Sequence, residues 1–353
     1  MDQAERRVTI ADVAEAAGVS KTAVSFAFNS PERLNTGTAS RIREVATSLG
    51  YRPDPVARML AHGRTGAIGV LTPQALSVIF TNPFFATFSA GVAAAAEESG
   101  YALQFISPVD GSLARAVDRA SVDGVVAIGL TADHPEIAQI RRAGLPFVTV
   151  DAAALPDQPS IDVDDEGGAR VAAEHLLDLG HRDILVIGIE PPEHASESDT
   201  DGVTGRRLRG YRSAFGAVGL ALPDETVVMG PASILGGMAA VHEAWEDGRR
   251  PTAVLAMSDA MAIGVLRALR DRGHAVPGDV SVVGFDDIEL GEYTDPPLTT
   301  VHQPVRRKGE EAVRLLLAAR ERRSSDGSAH QRLDTRLVIR GSTGPAPAAP
   351  GRP

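Results

Sequence analysis

The 353-residue sequence contains no cysteine and no apolar run approaching the ~20 residues that a membrane-spanning helix needs. The missing cysteines exclude disulfide bonds and thiolate metal sites. The first seven residues are polar, and no apolar segment of signal-peptide type follows them. We therefore expect a soluble cytoplasmic protein with no membrane partner.

Enzyme signatures are also missing. The sequence has no G-x-x-x-x-G-K-[ST], no G-x-S-x-G and no H-E-x-x-H, and its nine histidines lack metal-ligand spacing. The adjacent pair Asp286-Asp287 follows an apolar run, but neighbouring residues of an extended chain point to opposite sides and cannot share a proton. We expect no catalytic residue, no metal and no cofactor.

The net charge of −11 is unevenly distributed. Residues 1–65 carry nine Lys/Arg and seven Asp/Glu, a net of +2, which leaves −13 for the rest of the chain. An acidic body with a mildly basic end confines phosphate contact to one module. The small basic excess predicts modest affinity for a polyanion per module and a need for two modules.

Residues 8–29, VTIADVAEAAGVSKTAVSFAFN, predict two short helices joined by a turn at Gly18. Thr9 and Ser20 are the expected N-caps, and the second helix should cover Lys21–Asn29. A third helix is predicted over 38–49, capped by residue 35 or 36. The pattern fits a helix-turn-helix that presents polar side chains to a major groove, and it also fits surface helices of any globular domain.

From residue 67 onward, short apolar runs alternate with helical segments. Strands are predicted over 67–71, 102–106, 124–128, 147–150, 183–188, 227–229, 253–257 and 280–285. Helices are predicted over 84–98, 167–179, 207–218, 259–272 and 305–322. This alternation indicates parallel sheets covered on both faces, and its length indicates two α/β lobes. Ligands of such folds bind outside the carboxyl ends of the strands, here between the lobes.

The residues that carry a family resemblance are 8–14 (VTIADVA), 17–20 (AGVS), Thr22, 24–25 (VS), Asn29, Thr38, 41–42 (RI), 50–51 (GY), Pro53, 56–58 (VAR) and Leu60. This stretch resembles the headpiece of the lactose-repressor (LacI/GalR) family of bacterial transcription regulators. The resemblance continues through Ser342 and so covers nearly the whole chain.

The resemblance implies a two-lobed core similar to periplasmic sugar-binding proteins, with the chain crossing between lobes near residues 162, 291 and 323. The expected domains are a headpiece (6–53), a hinge helix and linker (54–65), an N-lobe (66–161 and 291–322), a C-lobe (162–290 and 323–343) and a disordered tail (344–353). The tail is rich in proline, alanine and glycine. Since no heptad helix follows the core, a dimer is expected.

Family positions also suggest how the headpiece contacts DNA. Base-reading positions match Lys21, Thr22 and Phe26, and phosphate-contacting positions match Thr9, Ser20, Ser25 and Asn29. Phe26 departs from the polar residue usual there; it either covers a thymine methyl or packs under the headpiece. Paired Leu60 side chains of the hinge helices are expected to wedge into the minor groove of the operator, unless the segment is a plain linker.

Four residues are expected to contact an effector in the interlobe cleft: Asp151, Arg207, Ser258 and Asp286. Three of them follow predicted strands, and Arg207 is predicted to open a helix, with Arg206 and Arg209 solvated. Asp259 is expected to cap a helix, and Gln303 is assigned to structure. A carboxylate and a guanidinium supply the acceptor and the donor that each sugar hydroxyl needs.

The sequence therefore predicts a dimeric regulator that binds a pseudo-palindromic double-stranded operator and is switched by a small molecule, most simply a carbohydrate. One alternative is a nucleobase or nucleoside corepressor. Others are a transport solute-binding protein, which the headpiece argues against, and an enzyme acting on sugars or nucleosides, for which no catalytic constellation is present.

Overall fold

The computed structural model describes residues 8–52, 63–130, 134–152, 158–190, 202–321 and 330–347. The chain divides into two compact units, Met1–Gly66 and Ala67–Pro353. Among the described helices, none combines the length and apolarity needed to cross a membrane.

The described part of the first unit is a bundle of three helices, α1 (Ile10–Ala17), α2 (Lys21–Asn29) and α3 (Thr36–Ser48). Thr9, Ser20 and Asn35 cap them by accepting backbone N–H groups through their side chains. Gly18, with φ of 64°, ends α1 in the left-handed conformation that favours glycine. The predicted helix-turn-helix is confirmed, although the third helix starts two residues early and leaves Leu49 exposed.

The second unit contains two six-stranded sheets, one in each lobe. The N-lobe strands are β1 (Ala67–Leu71), β2 (Ala102–Ile106), β3 (Val125–Ile128), β4 (Phe147–Val150), β5 (Ser160–Val163) and β11 (His330–Leu333), in the order β11-β5-β4-β3-β1-β2. The C-lobe strands are β6 (Ile184–Ile189), β7 (Val227–Gly230), β8 (Ala253–Ala256), β9 (Ser281–Asp286), β10 (Thr299–His302) and β12 (Arg336–Val338), in the order β12-β10-β9-β8-β6-β7. All pairings are parallel except β10–β12. These sheets confirm the predicted α/β architecture.

Helices cover both faces of each sheet. The N-lobe has α4 (Leu76–Ile79), α5 (Pro83–Glu98), α6 (Leu113–Arg119), α7 (Pro135–Arg142) and α12 (Val305–Glu321), and the C-lobe has α8 (Asp165–Asp178), α9 (Val203–Ala217), α10 (Ile234–Glu246) and α11 (Asp259–Asp271). Helix pairs approach closely at glycines. A Cβ on Gly91 of α5 would lie 2.0 Å from the carbonyl oxygen of Arg306 in α12, so this crossing requires glycine.

Strand pairing corrects two of the three predicted crossings between lobes. The first lies where expected, between β5 and α8. The second follows β10 near residues 303–304 rather than 291, because β10 pairs with β9 in the C-lobe. The third lies at 334–335 rather than 323, because β11 pairs with β5 in the N-lobe.

The C-terminal tail also begins later than predicted. The carbonyl oxygen of Gly344 lies 3.0 Å from Nε2 of the buried His181, and the N–H of Ala346 donates to Leu179. Residues 344–347 are thus held against the C-lobe by hydrogen bonds. Residues 348–353 of the predicted tail lie outside the described part of the chain.

Candidate functional site

The predicted DNA-contacting residues of α2 lie along one side of that helix. Lys21 and Thr22 are exposed in its first turn, and Ser25, Phe26 and Asn29 follow at helical spacing with partial exposure. The N–H2 group of Asn29 donates to the hydroxyl of Ser25 over 3.3 Å, which orders both side chains. This side of α2 carries donors suited to base edges and phosphates.

The two N-caps also have a local role. Thr9 forms a capping box with Asp12, and the hydroxyl oxygen of Ser20 accepts from the N–H of Ala23 over 3.1 Å. Each hydroxyl therefore stabilises its helix and, being exposed, remains accessible to a phosphate.

Phe26 lies outside the buried cluster of the three-helix unit, which does include the neighbouring Val24 and Ala27. The guanidinium carbon of Arg33 lies 5.2 Å from the centre of the Phe26 ring. Arg33 is exposed, so it adds a cation beside this side of α2 that the sequence analysis missed. The predicted wedge residue Leu60 lies outside the described residues.

The four predicted effector residues line one cavity of about 200 Å³ between the lobes of the second unit. Asp151 follows β4 of the N-lobe, whereas Ser258 and Asp286 follow or end strands of the C-lobe, and Arg207 projects from α9. Further lining residues from both lobes include Thr72, Gln74, Asn82, Phe84, Phe85, Glu190 and Gln303. The cavity therefore lies at the strand ends, as expected for such folds.

Asp286 is the most constrained carboxylate of the cavity. Its φ of 129° is a conformation that few non-glycine residues adopt, and only 4% of the residue is exposed. Nε2 of Gln303 donates to its Oδ1 over 2.6 Å. Burial raises its pKa to about 6, despite the opposing effects of Arg207 and Gln303. The neighbouring Asp287 instead contacts Arg340 and His302, so the pair does not form a dyad.

Arg207 is buried at the C-lobe wall. Its Nε donates to Oδ1 of Asp165 over 2.8 Å, its Nη1 donates to the carbonyl of Met257, and its guanidinium stacks 3.5 Å from the Phe285 ring centre. Helix α9 starts at residue 203, so Arg207 lies in its second turn and does not open it.

Arg206 and Arg209 were both predicted to be solvated, and the prediction is wrong for Arg206. Arg206 is buried rather than solvated, and it donates twice to Oδ2 of Asp165. The sequence analysis gave no signal for this, since Asp165 lies 41 residues away. Arg209 is partly exposed and pairs with Glu166 outside the cavity, as its helical position predicts.

At the start of α11, the residue that caps the helix differs from the prediction. Ser258, not Asp259, is the N-cap, and its hydroxyl oxygen accepts from the N–H of Met261 over 3.2 Å. The fully buried Asp259 accepts from Ile288 and Thr300 and thereby ties the helix to the sheet. Burial, reinforced by the charge of Asp286, raises the pKa of Asp259 to about 8.

A chain of hydrogen bonds runs from the C-lobe to the N-lobe beneath the cavity. Lys308 of α12, which is completely buried, donates to both carboxylate oxygens of Asp151, at 2.7 and 2.9 Å, and to Oε1 of Gln303 at 2.6 Å. Gln303 in turn donates to Asp286. The Asp151 and Asp286 carboxylates, one from each lobe, are thus connected through two side chains.

Sequence reasoning missed Lys308 and undervalued Gln303. A signal was present, because Lys308 occupies a position of α12 whose helical spacing matches the buried residues Val305, Ala312 and Leu316. A lysine at a core position needs a buried partner. The identity of that partner depends on a contact with Asp151, 157 residues away.

Comparisons with known proteins agree with both units. Residues 9–54 match "Bacterial regulatory proteins, lacI family", and residues 173–343 match "Periplasmic binding protein-like domain". The HTH-type transcriptional regulator CelR of Thermobifida fusca is 33% identical over 349 residues, covering 96% of this chain and 98% of CelR. The repressor PurR of Vibrio campbellii is 34% identical over 318 residues, covering 88% of this chain and 91% of PurR.

Solved structures agree over nearly the whole chain. The CelR–cellobiose complex has a TM-score of 0.71 and 30% identity, covering 95% of this chain and all of CelR. The lac repressor dimer bound to operator and the anti-inducer ONPF has a TM-score of 0.78 and 28% identity, covering 96% of this chain and 100% of the repressor chain.

A helix-turn-helix unit in one chain with a two-lobed ligand-binding fold defines the class of DNA-binding transcriptional regulators with an effector-binding core. The chain belongs to the lacI family of bacterial regulatory proteins. Its relatives are transcriptional regulators, and the protein is a regulator rather than an enzyme.

Proposed function

We propose that this protein is a dimeric repressor that acts on chromosomal DNA in the cytoplasm and is switched by a sugar bound between its lobes. The observation that carries the proposal is the convergence of Asp151, Arg207, Ser258 and Asp286 on one interlobe cavity. A ligand that contacts both lobes favours one arrangement of the lobes over others. A switch requires that the ligand bind the DNA-bound and the free arrangement of the lobes with different affinities.

The DNA-binding part of the proposal assigns base contacts to Lys21, Thr22 and Phe26. Phosphate contacts are assigned to Thr9, Ser20, Ser25 and Asn29, and a minor-groove wedge to Leu60. Support comes from the shared side of α2 and from the resemblance to the lac repressor dimer, which was solved on its operator. Two such units on a two-fold axis require a pseudo-palindromic site.

Dimerisation is supported by apolar side chains that the isolated second unit leaves exposed. Phe80 of the N-lobe is 54% exposed, and Leu235 and Tyr293 of the C-lobe are 76% and 75% exposed. Contact with a second copy would remove such apolar surface from water.

A sugar fits the mixture of groups around the cavity. Asp286 and Asp151 accept hydrogen bonds from hydroxyls, Arg207 donates to them, and Phe84 and Phe85 offer apolar surface to a pyranose face. The structurally similar CelR was solved with cellobiose. A purine base is the second candidate, because PurR is a relative and the two phenylalanines also suit a flat ring.

A thermal-shift screen of sugars and purine bases tests the effector class. At ~100 times its dissociation constant a ligand stabilises the folded protein by about 2.7 kcal/mol, so the true class should raise the melting temperature clearly. Stabilisation by purine bases with none by sugars would contradict the sugar proposal. Sedimentation of the complex with a selected operator duplex tests the dimer, and one chain per operator at full affinity would contradict it.

A further inference from the structure

The charges around the interlobe cavity restrict what can enter it. Among the described lining residues, the carboxylates are Asp151, Glu190 and Asp286, and the single cationic side chain is Arg207. Asp151 is paired with Lys308, so a ligand carrying a phosphate or a carboxylate would meet two further acidic groups and one base. Whether that base can serve an anion depends on its own partners.

Arg207 shares the fully buried carboxylate of Asp165 with Arg206. Burial opposes ionisation of Asp165, but the adjacent guanidiniums of Arg207 and Arg206 outweigh it and lower its pKa, so Asp165 is a permanent counter-ion for both. Met257 takes one further N–H of Arg207. The carboxylates that interact in this group outnumber its cations: they are Asp151, Asp162, Asp165 and Asp286, against Arg206, Arg207 and Lys308. Among the described residues, an anion at Arg207 would therefore enter a group that already carries a net negative charge.

Lys308 does not supply a second cation to the cavity. It is completely buried and its ammonium has three acceptor contacts, two to Asp151 and one to Gln303. An ammonium has three N–H groups, so none is left for a ligand.

Asp286 needs a hydrogen-bond donor rather than an anion. Gln303 occupies its Oδ1, and no other described residue donates to its side chain. The carboxylate is buried, so an unsatisfied oxygen there is costly, and a ligand hydroxyl or N–H removes that cost. A second negative charge at this point would be repelled with little screening by solvent.

We propose that the effector is an uncharged molecule that donates hydrogen bonds to Asp286, and that its phosphorylated or carboxylated derivatives are rejected. The proposal deepens the effector site described under Proposed function and rests on that site being occupied by the effector. It specifies a free sugar rather than a sugar phosphate or an aldonic acid. At pH 8, about two units above the pKa of Asp286, protonating this carboxyl to admit an anion costs about 100-fold in affinity, and this sets the expected rejection.

Isothermal titration calorimetry with matched pairs tests this inference on the full-length protein. The pairs are cellobiose and cellobionate, glucose and glucose 6-phosphate, and inosine and inosine monophosphate, with inorganic phosphate as a probe of anions alone. At pH 8 the neutral member of a binding pair should bind about 100-fold tighter than its anion, and phosphate should not bind. Any anion that binds as tightly as its neutral partner overturns the proposal.

The pairs also separate this inference from the sugar proposal. If inosine binds and the sugars do not, the sugar proposal fails while the exclusion of anions is judged on inosine monophosphate. If an anion binds while its neutral partner does not, the exclusion of anions is overturned whichever pair shows it.

A variant of Asp286 tests whether this carboxylate causes the preference for neutral ligands. Asp286→Asn should reduce the preference for the neutral member at least ~10-fold, because the repelling charge is gone while an acceptor for Gln303 remains. Glu246→Gln, an exposed carboxylate at the end of α10, is the matched control and should leave the preference unchanged. An undiminished preference in Asp286→Asn would overturn the assignment to Asp286.

Discussion

Replacing Asp286 by asparagine should make the unliganded protein more stable at neutral pH. The carboxyl pKa is about 6 in the folded protein against 3.8 for an unperturbed aspartate, because burial penalises the charged form. A pKa difference of one corresponds to about 1.4 kcal/mol, so the buried charge costs about 3 kcal/mol of folding free energy at pH 7. Asparagine keeps the acceptor for Gln303 and removes the charge.

The sign of this effect fixes its pH dependence. A carboxyl group whose pKa is raised by folding binds more protons in the folded state between about pH 4 and pH 6. The wild-type protein therefore loses stability as pH rises across that interval, and the loss stays constant above it. The advantage of Asp286→Asn should be largest above pH 6 and should shrink as the pH is lowered toward 4.

Urea unfolding at pH 7.5, 6, 5 and 4.5, followed by circular dichroism, measures this advantage directly. We expect a gain of about 3 kcal/mol at pH 7.5 that falls by more than half at pH 4.5. The reasoning would be refuted if the variant were less stable than the wild type at pH 7.5, or if its gain did not change with pH. Either result would mean that Asp286 carries no uncompensated buried charge.

Two further predictions concern the packing of α12. Lys308→Met removes the counter-ion of Asp151 and should lower the free energy of unfolding by about 3 kcal/mol. Adding Asp151→Asn should restore part of that free energy, because the unpaired charge is removed as well. If the destabilisation of the double variant equals the sum of the two single destabilisations, the pairing is contradicted. Gly91→Ala should cost at least about 2 kcal/mol, because its Cβ would lie 2.0 Å from the carbonyl oxygen of Arg306. Gly216→Ala, with no atom within 4 Å of the added methyl, is the control and should cost nothing.

The helices of the first unit could be predicted because their ends are set by local contacts. Thr9 and Ser20 cap with residues three positions along the chain, and Gly18 supplies the conformation of the turn. These interactions lie within a few residues and depend on residue type, so they are visible in the sequence.

The cavity could be predicted in part. Asp151, Ser258 and Asp286 were found because parallel strands bring their carboxyl ends to one edge of the sheet. Lys308 was missed because its partner Asp151 is 157 residues away and depends on how α12 crosses the sheet. A lysine in a helix gives no local signal of that contact.

The predicted lobe boundaries were wrong for a related reason. Strands β10 and β11 are each four residues long, and their sequences do not indicate which sheet they join. Pairing with β9 and β5 decides it, so the crossings lie about twelve residues from their predicted places. Long-range pairing is set by the tertiary structure rather than by local propensity.

The central claim is that a neutral ligand on Asp286 controls operator binding. Fluorescence anisotropy of a labelled operator duplex, titrated with wild type and with Asp286→Asn, tests it in the presence and absence of the sugar that most stabilises the wild type. We expect equal operator affinity without sugar, a change of at least about tenfold with sugar for the wild type, and less than about twofold for the variant. An equal response of the two proteins to the sugar would contradict it.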